Sequence, residues 1–342
     1  MASITIIDIA KMCGVGVTTV SRAINNHPDI SEETKAMIMK VIKENHYVPN
    51  NSARNLKRSA SKTIAVLIKG ITNPFFNRMI QVFEKEIKRK KYSFILQRVD
   101  EHQDEIEVAI ELEKEKRLKG IVFLGGYFSH SKEKLEQLTV PFVLSTIGMA
   151  PEFDPTEFSS VSVDDFKESY KIVDFLCSLG HRKIAIITAP MDDVSIGKLR
   201  YEGYKKALED HGLQVDSRLV CSMKDHLESY SMENGYVVTK DLLESGEPFT
   251  ALFAVSDSLA VGACKAIFES GKHVPGDYSV AGFDGLDIAY YYNPSITTIR
   301  QPVEEIAEET LRILFDLINK KQSHSHKIFP GELMIRESTA RI

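Results

Sequence analysis

Few side chains in this 342-residue sequence are spaced for covalent or metal chemistry. Ser256-Asp257-Ser258 has no glycine elbow around it and no paired base. His181 follows Gly180 just ahead of an apolar run and reads as a packed turn residue. His324 and His326 alternate within a polar stretch, 320–327, and read as solvated surface. Cys13, Cys177, Cys221 and Cys264 lie far apart with no CxxC pair, as buried thiols in a reducing compartment would. Gly14-Val15-Gly16 follows a helical stretch and lacks the third glycine of a dinucleotide loop. The expectation is a chain with no catalytic set, no metal and no cofactor, hence not an enzyme. What remains is hydrogen-bonding chemistry. Asp284 follows the apolar run Tyr278–Phe283, and a carboxylate at a strand's carboxyl end can accept two hydrogen bonds. Arg200 falls near the start of a helical stretch and can donate to ring or hydroxyl oxygens.

The elements that must hold these groups are legible in outline. Thr5-Ile6-Ile7-Asp8 is a capping box, followed by Ile6, Ile9, Ala10 and Cys13 on one helical face. Gly14 ends that helix. A second is predicted over Val17–Asn25, burying Val20, Ala23 and Ile24. Ser31 caps a third, with Ile38, Val41 and Ile42 inward and its end near Asn45. Two short helices across a glycine turn, buttressed by a third, make a helix-turn-helix unit. Residues 48–62 are polar and basic and read as a linker. From Thr63 onward, apolar runs at 64–68, 94–96, 121–124, 142–144, 184–187, 219–221, 251–255 and 278–283 alternate with amphipathic stretches. Such runs imply an α/β fold whose parallel sheets are covered on both faces. The run at 63–68 is echoed at 183–188, which points to two similar lobes with a cleft where the strands' carboxyl ends meet.

Composition narrows the class. With 43% hydrophobic and 27% charged residues the chain is neither disordered nor fibrous. It is too long for one core. No apolar run approaches a membrane span, and Asp8 in the N-terminal segment argues against a secretory leader, so the expected compartment is the cytoplasm. The net charge of −5 conceals an asymmetry. Residues 1–62 carry nine Lys/Arg against five Asp/Glu, which leaves a net −9 on the remainder. A basic head on an acidic body suggests a polyanion partner for the head.

Together these pieces resemble the LacI/GalR family, the lactose-repressor-like bacterial transcription regulators. The motifs fall in family order along nearly the whole chain. The head has Thr5-Ile6-Ile7-Asp8-Ile9-Ala10, Gly14-Val15, Thr19-Val20-Ser21-Arg22 and Asn25, then Tyr47-Val48-Pro49-Asn50 and Ala53-Arg54-Asn55-Leu56. The body has Asn73-Pro74-Phe75-Phe76, Gly180-His181-Arg182-Lys183-Ile184, Arg200-Tyr201-Glu202-Gly203-Tyr204, Gly282-Phe283-Asp284, Thr297-Thr298-Ile299 and Arg336-Glu337-Ser338-Thr339.

The resemblance implies a helix-turn-helix head at 1–47 and a hinge at 48–62, joined to a two-lobed, periplasmic-binding-protein-like body with two parallel sheets. It divides that body into an N-subdomain, 63–162 and 294–321, and a C-subdomain, 163–293 and 322–342. It also places Val17, Thr18 and Arg22 at base-facing positions in the major groove, where Arg22 can chelate guanine O6 and N7. Thr5, Thr19, Ser21 and Asn25 would hold phosphates. Gly16 stands where the family usually has serine, which removes a cap hydroxyl. In the hinge, Asn50, Ala53 and Leu56 would enter the minor groove, with Leu56 as the wedge between base steps.

In the body, the residues placed against the ligand are Phe75, Phe76, Thr146, Asp164, Asp193, Ser195, Arg200, Tyr230, Asp257 and Asp284. Aromatic faces there suit the apolar side of a sugar or base. Thr146 stands where many relatives carry an acid. The expected partners are double-stranded operator DNA, a small-molecule effector of the sugar class and a second copy of the chain, with no membrane. A nucleoside or a phosphoprotein is the alternative signal within the family, and a solute-binding protein is the alternative outside it. No heptad tail follows Thr339, so a dimer is expected and no tail-built tetramer.

Overall fold

The computed structural model describes residues 5–24, 27, 29–45, 62–70, 73–100, 103–128, 132–149, 154, 156–190 and 195–342. The chain divides into two compact units, Met1–Ala60 and Ser61–Ile342.

Among the described residues the first unit holds three short helices, α1 (Ile6–Met12), α2 (Val17–Ile24) and α3 (Glu32–Glu44). Thr5 caps α1 reciprocally with Asp8: the Asp8 amide donates to Thr5 Oγ1, and Asp8 Oδ2 accepts from the Thr5 amide at 2.9 Å. Those Thr5 hydrogen bonds also hold the Asp8 carboxyl below its usual range. Gly14 takes φ +63°, a left-handed turn that lets α2 set off in a new direction. Ile9, Ala10, Val20, Ala23, Ile38 and Ile42 form the core of this unit. So α2 buries positions 20 and 23 and turns 18 and 22 outward.

Among the described residues the second unit has two six-stranded sheets and a small two-stranded one. Its first half runs β1 (Thr63–Ile68), α4 (Phe75–Arg89), β2 (Ser93–Arg98), α5 (Glu105–Lys116), β3 (Leu118–Leu124), β4 (Tyr127–Phe128), α6 (Lys132–Leu135), β5 (Phe142–Ser145), β6 (Gly148–Met149) and β7 (Ser159–Val163). Its second half runs α7 (Asp165–Ser178), β8 (Ile184–Thr188), α8 (Ile196–Asp210), β9 (Val220–Ser222), α9 (Met232–Glu244), β10 (Ala251–Ala254), α10 (Asp257–Glu269), β11 (Ser279–Asp284), α11 (Asp287–Tyr291) and β12 (Thr297–Arg300). The chain then returns through α12 (Val303–Ile318), β13 (His326–Phe329) and β14 (Glu332–Met334). One sheet has the order β13-β7-β5-β3-β1-β2 and the other β14-β12-β11-β10-β8-β9. Every pairing is parallel except β12 with β14. Strands such as β1 are buried at all six positions, because helices cover both faces. On one face of the second sheet, α9 and α10 lie backbone to backbone. A Cβ on Gly262 would come within 2.0 Å of the Met232 carbonyl oxygen, and one on Gly235 within 2.2 Å of that of Leu259.

The sheet pairings correct the expected subdomain edges. Residues 297–300 pair with β11 in the second sheet, although 294–321 was assigned to the first lobe. Residues 326–329 pair with β7 in the first sheet, although 322–342 was assigned to the second. Thus the chain crosses between lobes after β7, after β12 and between β13 and β14. Glu168 and Lys171 on α7 bind the Gly331 amide and carbonyl, at 3.0 and 2.9 Å, and so fix the last crossing. His181 is fully buried, hydrogen-bonded to Thr250 (2.9 Å), Ser279 (3.0 Å) and the Ala340 carbonyl (3.1 Å); it ties the C-terminal segment to the second lobe. Burial lowers its pKa.

Candidate functional site

The centre of the body is a buried charge cluster around Arg200. Ser195 caps α8 by accepting from the Gly197 amide. Gly197, Arg200, Gly203, Tyr204 and Ala207 then repeat at helical spacing on the buried face, so the arginine is carried inward by the same stripe as the core. It is 2% exposed. Its Nε donates to Asp165 at 2.8 Å, its Nη1 donates to the Val255 carbonyl at 2.5 Å, and its plane lies 3.7 Å over the Phe283 ring. Asp284 Oδ1 is 3.5 Å from Nη1.

Asp284 ends β11 at φ 114°, a backbone conformation costly for any residue but glycine. Its Oδ1 accepts from Gln301 Nε2 at 2.9 Å. Its Oδ2 is buried and makes no well-formed hydrogen bond within the protein. Burial pushes the Asp284 carboxyl up to about 6, while Arg200, Gln301 and the Asn73 side chain, reaching over from the loop after β1, pull against it. Burial likewise pushes Asp165 up against the pull of Arg200. For Arg200 the sign reverses: burial lowers it, but Asp165, Asp284 and Tyr230 together outweigh that and raise it.

Asp257 sits beside this cluster in another role. It is fully buried at the first turn of α10, whose cap is Ser256, and its Oδ2 accepts from the Leu286 amide at 2.6 Å. It therefore braces the loop after Asp284. Burial, reinforced by the Asp284 charge, pushes it to about 8. A carboxyl raised this far takes up a proton on folding. Its stabilising effect is complete below the ordinary value near 3.8 and is lost as pH rises through about 8. Urea melts of the wild type should show unfolding free energy falling between about pH 5 and 8, and Asp257→Asn should flatten that fall. An unchanged slope would remove Asp257 as its source.

Other expected ligand residues fall into three groups. Thr146 (φ 53°) and Tyr230 (φ 57°) share with Asp284 a left-handed backbone. Thr146 is 6% exposed and donates to the Ser145 carbonyl at 2.7 Å, while Tyr230 is close enough for Arg200 to feel its charge. Phe75 and Phe76 are packed into the first lobe's core, 3% and 6% exposed, as buried as Arg200 and Thr146 are. Asp164 is the N-cap of α7, accepting from the Lys167 amide at 3.0 Å. Its neighbour Asp165, passed over in the sequence, is the one that turns inward to Arg200. Gln301 was missed as well, and Asn73 was seen only as part of a motif. Asp193 lies outside the described residues.

In the head, Val17 (41% exposed), Thr18 and Arg22 are solvent-facing on α2, as base-reading residues must be. Thr19 and Ser21 are half-buried and Thr5 is exposed at its cap. Asn25, Asn50, Ala53 and Leu56 lie outside the described residues.

Comparison with known proteins gives the same assignment. The family described as bacterial regulatory proteins, lacI family, matches residues 5–50, and the periplasmic binding protein-like domain matches 173–339. The HTH-type transcriptional regulator MalR of Clostridium butyricum is 40% identical over 98% of this chain and 99% of its own length. The HTH-type transcriptional repressor CytR of Escherichia coli is 30% identical over 98% of this chain and 96% of its own. The solved complex of the transcriptional regulator CelR with cellobiose superposes with a TM-score of 0.70, at 28% identity over 98% of this chain and 99% of that one. A three-helix head with an outward-facing reader, followed by two parallel-dominated lobes around a buried Arg–Asp cluster, thus has the sequence and the fold of one group: the chain belongs to the LacI family of DNA-binding bacterial transcription regulators.

Proposed function

We propose that this regulator is a cytoplasmic homodimer that represses its target promoters, and that a sugar or sugar derivative bound between the lobes sets its hold on the operator. The head at 1–47 reads a half-site, and the hinge at 48–62 carries Leu56 into the minor groove. Two heads are needed because one eight-residue reader spans only a few base pairs. Effector and operator must affect each other's affinity by the same factor.

The observation that carries the effector reading is the second oxygen of Asp284. It is a buried carboxylate oxygen without a well-formed partner, on strained backbone, beside an arginine and facing an amide from the other lobe. A ligand hydroxyl donating to it would satisfy a group that is otherwise costly to leave buried. Cellobiose in the CelR complex is a ligand of this chemistry. The test is thermal melting of the full chain against cellobiose, ribose, other mono- and disaccharides, and nucleosides. A sugar at about 100 times its Kd should stabilise the protein by about 2.7 kcal/mol. Asp284→Ala should lose that shift. Stabilisation by nucleosides alone, or a full shift in the variant, would overturn the reading.

A further inference from the structure

The acidic body carries a concentration of unpaired cations on one edge. Three helices, α4, α5 and α12, end where the strands β1, β2 and β3 begin. The Ser93 amide donates to the Lys62 carbonyl at 2.7 Å, and Thr63 pairs with both Ser93 and Leu118. Leu314 and Ile318 side chains lie 2.9 and 3.0 Å from where a Gly120 Cβ would stand, which sets the end of α12 over the start of β3. Lys62 Nζ lies 5.8 Å from the Tyr92 ring and Lys90 Nζ 5.8 Å from the Phe315 ring, and the two rings meet edge-on at 5.1 Å. Lys91, Arg117, Lys320 and Lys321 complete the rim, all exposed.

Among the described residues none of these six cations forms an ion pair. The nearby acids are already taken: Glu84 by Lys88, Glu86 by Arg89 and Asp316 by Arg312, at 2.6, 2.6 and 2.8 Å. Cations do favour helix C-termini. Within α4 and α5 that role is filled by Lys88, Arg89, Lys114 and Lys116, whereas α12 has no basic residue in its last turn and Lys320 and Lys321 stand just past its end. The rim goes further. Lys91, Arg117 and Lys320 occupy left-handed backbone, φ 61°, 51° and 55°, where glycine would avoid a cost of roughly 1–2 kcal/mol each.

We propose that this rim is a second DNA-contacting surface, which grips phosphates of the duplex flanking the half-site that the head reads. Net charge cannot account for it, since the body as a whole is at −9. The partner is identified by tethering. Lys62 is where the linker enters the body, and the 14 residues 48–61 can extend to no more than about 50 Å. Because head and body are one chain, any duplex held by the head meets the body at a local concentration set by that linker, so weak phosphate contacts suffice. Phosphate contacts of this kind add affinity and salt dependence without sequence preference.

The experiment uses the full chain and a site it selects from a random-sequence duplex library. Binding is titrated on the minimal selected site and on the same site with about 10 base pairs added at each side, between about 50 and 200 mM salt. For the wild type the flanks should raise affinity and steepen the salt dependence. The variant Lys90→Gln/Lys91→Gln/Lys320→Gln/Lys321→Gln should bind the minimal site as the wild type does, lose the benefit of the flanks, and show a log–log salt slope lower by about 3 per protomer on the flanked duplex. The matching set of Lys→Arg changes should keep the benefit. Three results would overturn the proposal: flank-dependent binding unchanged in the Gln variant, equal weakening on both duplexes, or unchanged DNA binding with loss of retention on an immobilised phosphoserine-bearing acidic protein.

Discussion

Replacing Arg200 with methionine should cost the body about 3–5 kcal/mol, a shift in Tm of roughly 10 °C. The side chain is almost wholly buried and holds two carboxylates, Asp165 and Asp284, in a medium that would not otherwise tolerate their charge. Methionine fills much of the volume over Phe283 but leaves both acids without their cation and the Val255 carbonyl without its donor. Both carboxyls must then be protonated in the folded state, with pKa values further above the ordinary range than in the wild type. A raised acid pKa means stability that fades as pH rises, so the variant's deficit should be larger at about pH 8 than at about pH 5. Urea melts at those two pH values measure it. Adding Asp165→Leu should recover part of the loss, because an apolar replacement removes one stranded charge. A deficit under about 1 kcal/mol at both pH values would show that water reaches the cluster.

How much of this site the sequence revealed depends on the kind of signal each residue leaves. Strands buried on both faces announce themselves as unbroken apolar runs, which is why β1, β8, β10 and β11 were legible. β13, His-Lys-Ile-Phe, is an edge strand with three of its four positions exposed, and it looks like loop. β12 begins with two buried threonines, which carry no apolar signature. The error in the subdomain edges follows from those two strands, since each is the last strand before a crossing. Asp284 was found because it ends a strand, a position that periodicity exposes, and Arg200, in the second turn of α8, because it opens the motif Arg200-Tyr201-Glu202-Gly203-Tyr204 that carries the resemblance. Asp165 was not, because Asp164 and Asp165 are adjacent identical residues. About 100° of helical rotation separates the one that caps α7 from the one that meets Arg200, and only the fold decides which is which. For Phe75 and Phe76 aromatic type suggests a ligand face, and the close approach of Gly125, whose added Cβ would stand 2.6 Å from Phe76, shows that the second ring also packs tightly into the core.

In the head the prediction of largest effect concerns Arg22. It is exposed on α2, one turn from Thr18 and across the helix from the buried Val20 and Ala23. A guanidinium there has five donors and no partner requirement from the core, so removing it should leave the head folded. If it chelates a guanine, Arg22→Ala should cost about 1–3 kcal/mol of discrimination per half-site. Two half-sites in a symmetric dimer then bring the loss to between about thirtyfold and several ten-thousandfold in operator affinity, with the guanine preference at that position gone. Leu56→Ala provides the contrast. A wedge that bends the duplex contributes to every sequence that can be bent, so its loss should lower affinity while leaving the base preference of the half-site in place. Binding to a set of single-base operator variants separates the two. Arg22→Ala should flatten the ranking at one position, and Leu56→Ala should shift all the variants together. If Arg22→Ala instead weakened every sequence equally, and lowered the salt slope by about 1 per protomer, the side chain would be holding phosphate, and the base reading would pass to Val17 and Thr18.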